Sequence, residues 1–471
     1  MSKLTDFYGY IKNKTVSVVG IGISNTPLID FLLAHGATVT ARDMKTADKL
    51  GDLATSHEKK GVKLILGEGY LDDISDELIF RAPGIRPDRP EFLSAVERGS
   101  KLTSEMELFF ELCPCRIFAV TGSDGKTTTT TLTYTFLRRE AERTGSGARV
   151  YVGGNIGKPL LPEIDSIRES DFAVVELSSF QLQSMKRSPY AAAITNVTPN
   201  HLNWHTGMEE YTKAKENIFL HPGNERLVLN WGCEATREMA ELTNANITFF
   251  SAKSEPELKN ASAAIYDRDG VIVRKTGLGE EKILDVADIK LPGRHNVENY
   301  MTAIALTWGY VSRETIVETA RNFGSVEHRC ELVREFDGVK YYNSSIDSSP
   351  TRTEAALRAF KQKLIVICGG YDKHIPYEPL AKPLIDCAKA VILTGATAPK
   401  IKAALESSSE YHGQPPIIEC ESFEGAVETA RETAKPGDIV ILSPASASFD
   451  RFKNFEERGN YFKQLVNDFR K

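Results

Sequence analysis

Thr121-Gly122-Ser123-Asp124-Gly125-Lys126-Thr127-Thr128 brings together the residue types that hold a phosphate. Glycines at 122 and 125 let backbone N–H groups approach phosphate oxygens, and a helix N-terminus behind them adds positive potential. Lys126 can neutralise charge that develops on a transferred phosphoryl group, and the Thr127 hydroxyl can help hold Mg2+. The run follows an apolar stretch (116–120) read as a strand and precedes a helical pattern, the context that a phosphate loop requires. A plain glycine turn before an amphipathic helix would explain Gly122 and Gly125, but not Lys126-Thr127-Thr128. Val120 stands where the common pattern has its first glycine, so the loop is a variant.

A second set lies between residues 153 and 215. Gly153-Gly154-Asn155-Ile156-Gly157 is a glycine-rich turn with one amide donor. Glu176 closes a buried strand (172–175), and in an open α/β sheet that end faces the ligand crevice. A buried carboxylate is costly without a partner, so Glu176 is expected to meet a cation, either a metal or the other half of a structural ion pair. His201 follows another strand end (191–195) and can offer a neutral ring nitrogen to a metal; His205 is the weaker candidate of the two. Lys215 reads from the sequence alone as a solvated helix lysine. Near the N-terminus, Gly20-Ile21-Gly22-Ile23-Ser24-Asn25 follows a β-branched run (15–19) but lacks the third glycine of a dinucleotide fingerprint. Asp43, at the end of the next strand, is placed to accept ribose hydroxyls of a nucleotide-like ligand.

The elements that must position these residues form three α/β segments, with boundaries set at 1–101, 102–324 and 325–471. Strands are expected near 15–19, 37–42, 62–66 and 78–81 in the first. The second holds those at 116–120, 172–175, 191–195 and 227–229, then a mixed strand-like stretch (244–290) and a helix (297–308). The third has strands at 364–370, 390–394 and 438–443. Short strands alternating with helical stretches predict parallel sheets. The chain has 471 residues, 41% hydrophobic and 26% charged, with a net charge of −6. That balance argues against the basic face of a nucleic-acid binder. Seven scattered cysteines match no disulfide framework or zinc site and read as reduced thiols. No apolar run approaches the ~18 residues of a membrane span and the first residues lack a signal core, so a cytoplasmic protein is expected.

Taken in order, Thr-Gly-Ser-Asp-Gly-Lys-Thr-Thr, Gly-Gly-Asn-Ile-Gly, Glu176-Leu-Ser-Ser-Phe-Gln-Leu, Thr198-Pro-Asn-His-Leu, Leu291-Pro-Gly-Arg-His-Asn and Glu327-His-Arg resemble the Mur ligase family, over essentially the whole chain. Leu442-Ser-Pro-Ala-Ser-Ala-Ser448 through Phe455-Glu-Glu-Arg-Gly, with 80–85 and 369–373, is most similar to the branch that adds D-glutamate to UDP-N-acetylmuramoyl-L-alanine. The resemblance implies a Rossmann-like N-terminal domain, a central P-loop-type ATPase domain and a Rossmann-like C-terminal domain. It implies ATP and Mg2+, two ions of it, a monomer, and a carboxylate activated as an acyl phosphate.

Residue by residue, the resemblance makes Lys126, Glu176, His201 and Lys215 catalytic, with Lys215 carbamylated and joining Thr127, Glu176 and His201 as metal ligands. Gly122 to Thr128, His295, Asn296, Asn299 and Arg329 fall to ATP. Gly22, Ile23, Ser24, Asp43 and Asn155 fall to the uridine substrate, and Ser348, Lys373, Ser448 and Phe455 to the amino acid. Three departures stand out: Asp124-Gly-Lys for Asn-Gly-Lys, His201-Leu-Asn203 for His-Leu-Asp, and Asn343-Ser344-Ser345 for Asn-Asp-Ser. Asp347 is the nearest acid that can stand in for the last. Other readings are a related ligase for a different amino acid, a non-catalytic homologue that binds without turnover, and a dehydrogenase on the first glycine turn, which leaves Lys126 unexplained.

Overall fold

The computed structural model describes residues 3–22, 24–200, 204–324, 326–372 and 375–470. Its backbone is α/β throughout, with three separate sheets. The expected positions of Ile23, His201 and Lys373 lie outside the described residues, as does Asn203.

In the first sheet, β1 (Thr15–Val19), β2 (Thr38–Asp43), β3 (Lys63–Leu66), β4 (Leu78–Arg81) and β5 (Lys101–Thr103) lie in the order β3-β2-β1-β4-β5. All pairs are parallel. Chain order reverses between β1 and β4, so the glycine turn after β1 opens at the switch point where such sheets bind ligands. β5 straddles the boundary set at 101.

The second sheet holds β6 (Arg116–Thr121), β7 (Val150–Gly154), β8 (Phe172–Glu176), β9 (Ala191–Ile194), β10 (Arg226–Asn230), β11 (Asn246–Ser251), β12 (Ala263–Arg268), β13 (Val271–Thr276) and β14 (Gly279–Asp285). Their order is β14-β13-β12-β11-β10-β9-β6-β8-β7. β6 sits between β8 and β9, and Ile117 to Val120 are buried. Burial on both faces requires the unbroken apolar run seen in its sequence. The mixed stretch 244–290 resolves into β11 plus an antiparallel extension, β12-β13-β14. Asp269 and Gly270 both take positive φ (52° and 83°), the two-residue turn whose twist matches a hairpin.

The third sheet, β15 (Glu331–Phe336), β16 (Val339–Asn343), β17 (Leu364–Cys368), β18 (Ala388–Leu393), β19 (Ile417–Glu419) and β20 (Ile439–Leu442), is ordered β15-β16-β20-β17-β18-β19. Only the β15–β16 pair is antiparallel. The chain gathers into two compact units, 1–288 with 297–319, and 289–296 with 320–471. The first two sheets belong to the former and the third to the latter. No described helix is long and apolar enough to cross a membrane.

Candidate functional site

The helix Lys126–Thr144 begins directly after the loop that leaves β6. Its start is threonine-rich, which intrinsic propensity disfavours. Three hydroxyls turn back onto carbonyls four residues earlier, Thr131 to Thr127, Thr133 to Thr129 and Thr135 to Thr131, at 2.7–2.8 Å. Buried hydroxyls thereby find acceptors within the helix itself.

Two glycines make the loop possible. Gly122 (φ 146°) has no room for a Cβ beside the Thr195 hydroxyl, and Gly125 (φ 80°) none beside Asn299 Oδ1. Lys126 Nζ donates to the Gly122 and Ser123 carbonyls, both at 2.9 Å. The segment after β9 grips the loop from the other side. Thr195 Oγ1 donates to Asp124 O (2.5 Å), Asp124 N to Asn196 Oδ1 (2.9 Å), and Ser123 Oγ to Thr198 O (2.9 Å). Ser123 Oγ also meets Tyr211 Oη at 2.9 Å. Asn299 lies on the helix Arg294–Thr307, and its Oδ1 accepts from Thr129 Oγ1 at 3.2 Å. Thus the structure brings the loop and Asn299 together. Of the loop's supports, Thr195, Asn196 and Thr198 belong to the polar run after β9, which was their signal, whereas Tyr211 on the helix Met208–Glu216 has no such local signal.

Lys215 overturns its reading as a solvated lysine. It is 1% exposed on the helix Met208–Glu216, and its Nζ donates to Gly122 O at 2.9 Å. The ammonium position lies 4.4 Å from the centroid of the Tyr211 ring. Burial, and then the nearby charge of Lys126, hold its pKa well below the ordinary lysine range. Two lysine nitrogens therefore share one loop carbonyl, and the amine of Lys215 is shifted toward its neutral, nucleophilic form.

Glu176 ends β8 and is also 1% exposed. Asn155 donates its side-chain amide to Oε1 (2.7 Å) and its backbone N–H to the Glu176 carbonyl (2.8 Å). Oε2 is buried with no hydrogen-bond partner among the described residues, and no ion pair to Glu176 occurs among them. An orphaned, buried carboxylate oxygen next to a phosphate loop fits a cation ligand. Among the described residues there is no cluster of three His, Cys, Asp or Glu side chains that would hold a metal unaided. His205, the weaker imidazole candidate, is buried, with Nε2 2.9 Å from Ser179 Oγ, and burial lowers its pKa. It serves packing, between Phe180 and Tyr211.

At the first glycine turn Asp43 is already engaged. Oδ2 accepts from Ile21 N (2.7 Å) and Oδ1 from Lys45 N (2.8 Å), so its carboxylate shapes the turn that carries Gly22 and Ser24. Arg81, buried at the end of β4, donates to Ile85 O (2.9 Å), Phe180 O (3.1 Å) and Ser184 Oγ (2.8 Å). It ties the first sheet to the helical turn that follows Glu176.

In the second unit, Arg329 sits between His328 and Cys330, both with positive φ (63° and 43°). His328 meets Asn343 Nδ2 at 2.9 Å, and Gly459 leaves room for its ring. Arg329 Nε is buried with no partner among the described residues. His295 and Asn296 belong to this unit, and Asn296 Nδ2 donates to Pro292 O at 2.6 Å. Ser348 lies in the loop after β16 and Ser448 in the loop after β20. Phe455 opens the helix Phe455–Asn467 and accepts from Ser345 Oγ at 2.8 Å. All seven cysteines are free thiols.

Asp347 is buried beside Ser344 and accepts from Ser443 Oγ at 2.8 Å. Burial pushes its carboxyl from 3.8 up to about 6. An acid with a raised folded-state pKa holds more protons folded than unfolded between those values. Stability therefore falls as pH climbs from about 4 to 6 and stays lower above, by about 3 kcal/mol. Asp347→Asn, whose amide carbonyl still accepts from Ser443, is expected to resist urea better than the parent at pH 8, with the gain shrinking toward pH 5. Equal urea midpoints at pH 8 would refute this.

The family description "Mur ligase middle domain" matches residues 120–307, and "Mur ligase, glutamate ligase domain" matches residues 328–446. UDP-N-acetylmuramoylalanine–D-glutamate ligase of Acetivibrio thermocellus is 50% identical over 471 residues, covering 99% of both chains. The enzyme of that name from Ruminiclostridium cellulolyticum is 47% identical over 472 residues, again covering 99% of each. The crystal structure of UDP-N-acetylmuramate–alanine ligase of Thermotoga maritima shares the fold, with a TM-score of 0.58 at 18% identity, over 97% of this chain and 99% of that one. A phosphate loop clamped by two lysines, a strand-end carboxylate with an open oxygen and full-length identity near one half converge on one statement: the chain belongs to the Mur ligase family of ATP-dependent ligases that form carbon–nitrogen bonds.

Proposed function

We propose that the protein joins D-glutamate to UDP-N-acetylmuramoyl-L-alanine with ATP as the energy source, in the cytoplasm, as a step of peptidoglycan precursor synthesis. The observation that carries the chemistry is the convergence of Lys126 and Lys215 on the Gly122 carbonyl, in a loop that two glycines open to phosphate. The amino-acid identity rests on the full-length relatives. A carboxylate anion is a poor electrophile. Its oxygen therefore attacks the γ-phosphorus of ATP, ADP leaves, and an acyl phosphate forms. The amine of D-glutamate then adds to the acyl carbon, loses a proton, and the tetrahedral intermediate expels phosphate.

Each residue has a place in this scheme. Loop N–H groups from Gly122 to Thr128 and Lys126 stabilise the transferred phosphoryl charge. Thr127, Glu176 through its open Oε2, His201 and Lys215 as a carbamate would hold Mg2+, two ions in all. Bound there, Mg2+ supplies positive charge that offsets the phosphates. Asn155 orients Glu176 and contributes to the uridine-substrate side with Gly22, Ile23, Ser24 and Asp43. His295, Asn296, Asn299 and Arg329 contact the nucleotide, with Asp347 in place of the acid absent at Ser344. Ser348, Lys373, Ser448 and Phe455 receive the amino acid. The working domains are 1–101 for the uridine substrate, 102–324 for ATP and 325–471 for the amino acid, in a monomer.

The test is phosphate release from ATP and Mg2+ with UDP-N-acetylmuramoyl-L-alanine, offering D-glutamate, L-glutamate, L-lysine and diaminopimelate separately. Release with D-glutamate alone, and a product of matching mass, is expected. Release with another of the four would refute the amino-acid assignment, and ATP binding without release would indicate a chain that has lost turnover.

A further inference from the structure

Arg458 stands one helical turn beyond Phe455 and is 2% exposed. Its Nε donates to Ser345 Oγ (3.0 Å), Nη2 to Ser345 O (2.8 Å), and Nη1 to Ser446 O (3.1 Å) and Ala447 O (2.9 Å). Every acceptor is neutral. Among the described residues it has no ion-pair partner, and Asp450 and Asp347 act on it only through space. Burying a guanidinium without a carboxylate is costly, and burial duly lowers its pKa to about 10. It still carries its full charge at neutral pH. Those buried acceptors need donors, but neutral donors would satisfy them without the cost of a buried charge.

The contacts of Arg458 explain what the charge is for. Ser345 lies three residues before Ser348, on the loop after β16. Ser446 and Ala447 lead directly into Ser448. Phe455 is on the helix that Arg458 itself occupies. The turn Gly369–Asp372, which leads to Lys373, comes so close that a Cβ at Gly370 would stand 3.1 Å from Nη1 and collide with the Ala447 carbonyl. One buried cation therefore touches every segment that carries a residue assigned to the amino acid.

We propose that Arg458 is a positioning residue for the amino-acid site: its fork holds those four segments in register, and its unpaired charge favours an amino acid bearing a second carboxylate. This rests on the assignment of Ser348, Lys373, Ser448 and Phe455 to that site. A rigid fork bonded to two loops, with the Gly369–Asp372 turn close against it, fixes side chains more tightly than a lysine's single ammonium can. A permanent charge in a water-poor setting also acts on an anion farther away than it would in solvent.

The experiment titrates D-glutamate at saturating ATP and UDP-substrate in Arg458→Lys and Arg458→Met. KM and kcat are resolved separately, and melting curves are recorded in parallel. The first half-reaction is read alone, without D-glutamate, by trapping the acyl phosphate with hydroxylamine. Arg458→Lys is expected to raise the KM for D-glutamate about tenfold, and Arg458→Met about a hundredfold, given the size of charge-assisted hydrogen bonds. The KM for ATP and hydroxamate formation stay within about twofold of the parent. If Arg458→Met does not fold, Ser345→Ala, which removes one acceptor, replaces it, with a KM increase of about threefold to tenfold. An unmoved KM, or a fall of every constant together with the melting point, overturns the proposal. Ser448→Ala separates the two ideas. A raised D-glutamate KM in Ser448→Ala with none in Arg458→Lys leaves the pocket standing and removes Arg458 from it. Parental values in both variants overturn the pocket assignment itself.

Discussion

Lys126→Ala is expected to abolish ligation, with phosphate release falling at least about a thousandfold, the scale on which single phosphate-stabilising cations act in phosphoryl transfer. The reason lies in what remains and what is lost. Alanine is the best helix former, and position 126 opens a long helix, so the substitution costs the helix nothing. The loop keeps its ties to Thr195, Asn196, Thr198 and Tyr211, which do not involve Lys126. The melting point should therefore stay within a few degrees of the parent. What disappears is an ammonium held in the phosphate loop by the Gly122 and Ser123 carbonyls. ATP binding weakens less than turnover, because a charge that grows on the transferred phosphoryl group draws most from a fixed cation in the transition state. Phosphate release, ATP affinity and melting curves check this together. Wild-type turnover in a folded variant would remove Lys126 from the chemistry.

How much of this was legible beforehand depended on the range over which each feature is determined. The phosphate loop could be read because its glycines, lysine and flanking strand lie within a dozen residues. Glu176 could be read because a lone acid closing an apolar strand breaks a strong local pattern. Three parallel-rich sheets followed from alternating strand and helix signals. Lys215 could not be read in this way. Its burial comes from contact with Gly122, 93 residues earlier, and the short charged helix around it looks solvent-facing in every local respect. The same holds for Asp43, whose place at a strand end was right. Its two oxygens are committed to backbone N–H groups that only the folded turn brings near. The hairpin of β15 and β16 is a different case. Asp337-Gly338, with φ 48° and 75°, is a two-residue turn signal as local and as legible as Asp269-Gly270.

Lys215 carries the second large expectation. A lysine this buried, with a second ammonium close by, is poorly placed as a cation, and its depressed pKa leaves more of it as free amine at neutral pH than any exposed lysine has. A free amine adds to CO2: the nitrogen lone pair forms the C–N bond, one C–O π bond becomes the carbamate anion, and the nitrogen proton is released. The change would replace a charge that Lys126 repels with one that it attracts, on a side chain near enough to Glu176 to feel its charge. Lys215→Ala is accordingly expected to lose at least about a thousandfold in turnover, comparable with removing a member of a catalytic unit. A short carboxylate such as acetate or propionate, added to that variant, should restore part of the activity, whereas Lys215→Arg, permanently charged, should gain nothing from it. Because the amine form is favoured as pH rises, loss of the modification, and of activity with it, should set in on the acid side. Growth of a carbamate resonance in the 13C spectrum with labelled bicarbonate, present in the parent and missing from Lys215→Ala, gives a readout independent of turnover. A parent enzyme that shows no such resonance and is fully active in CO2-free buffer would leave Lys215 as an unmodified lysine bonded to Gly122, and its place among the metal ligands would fall.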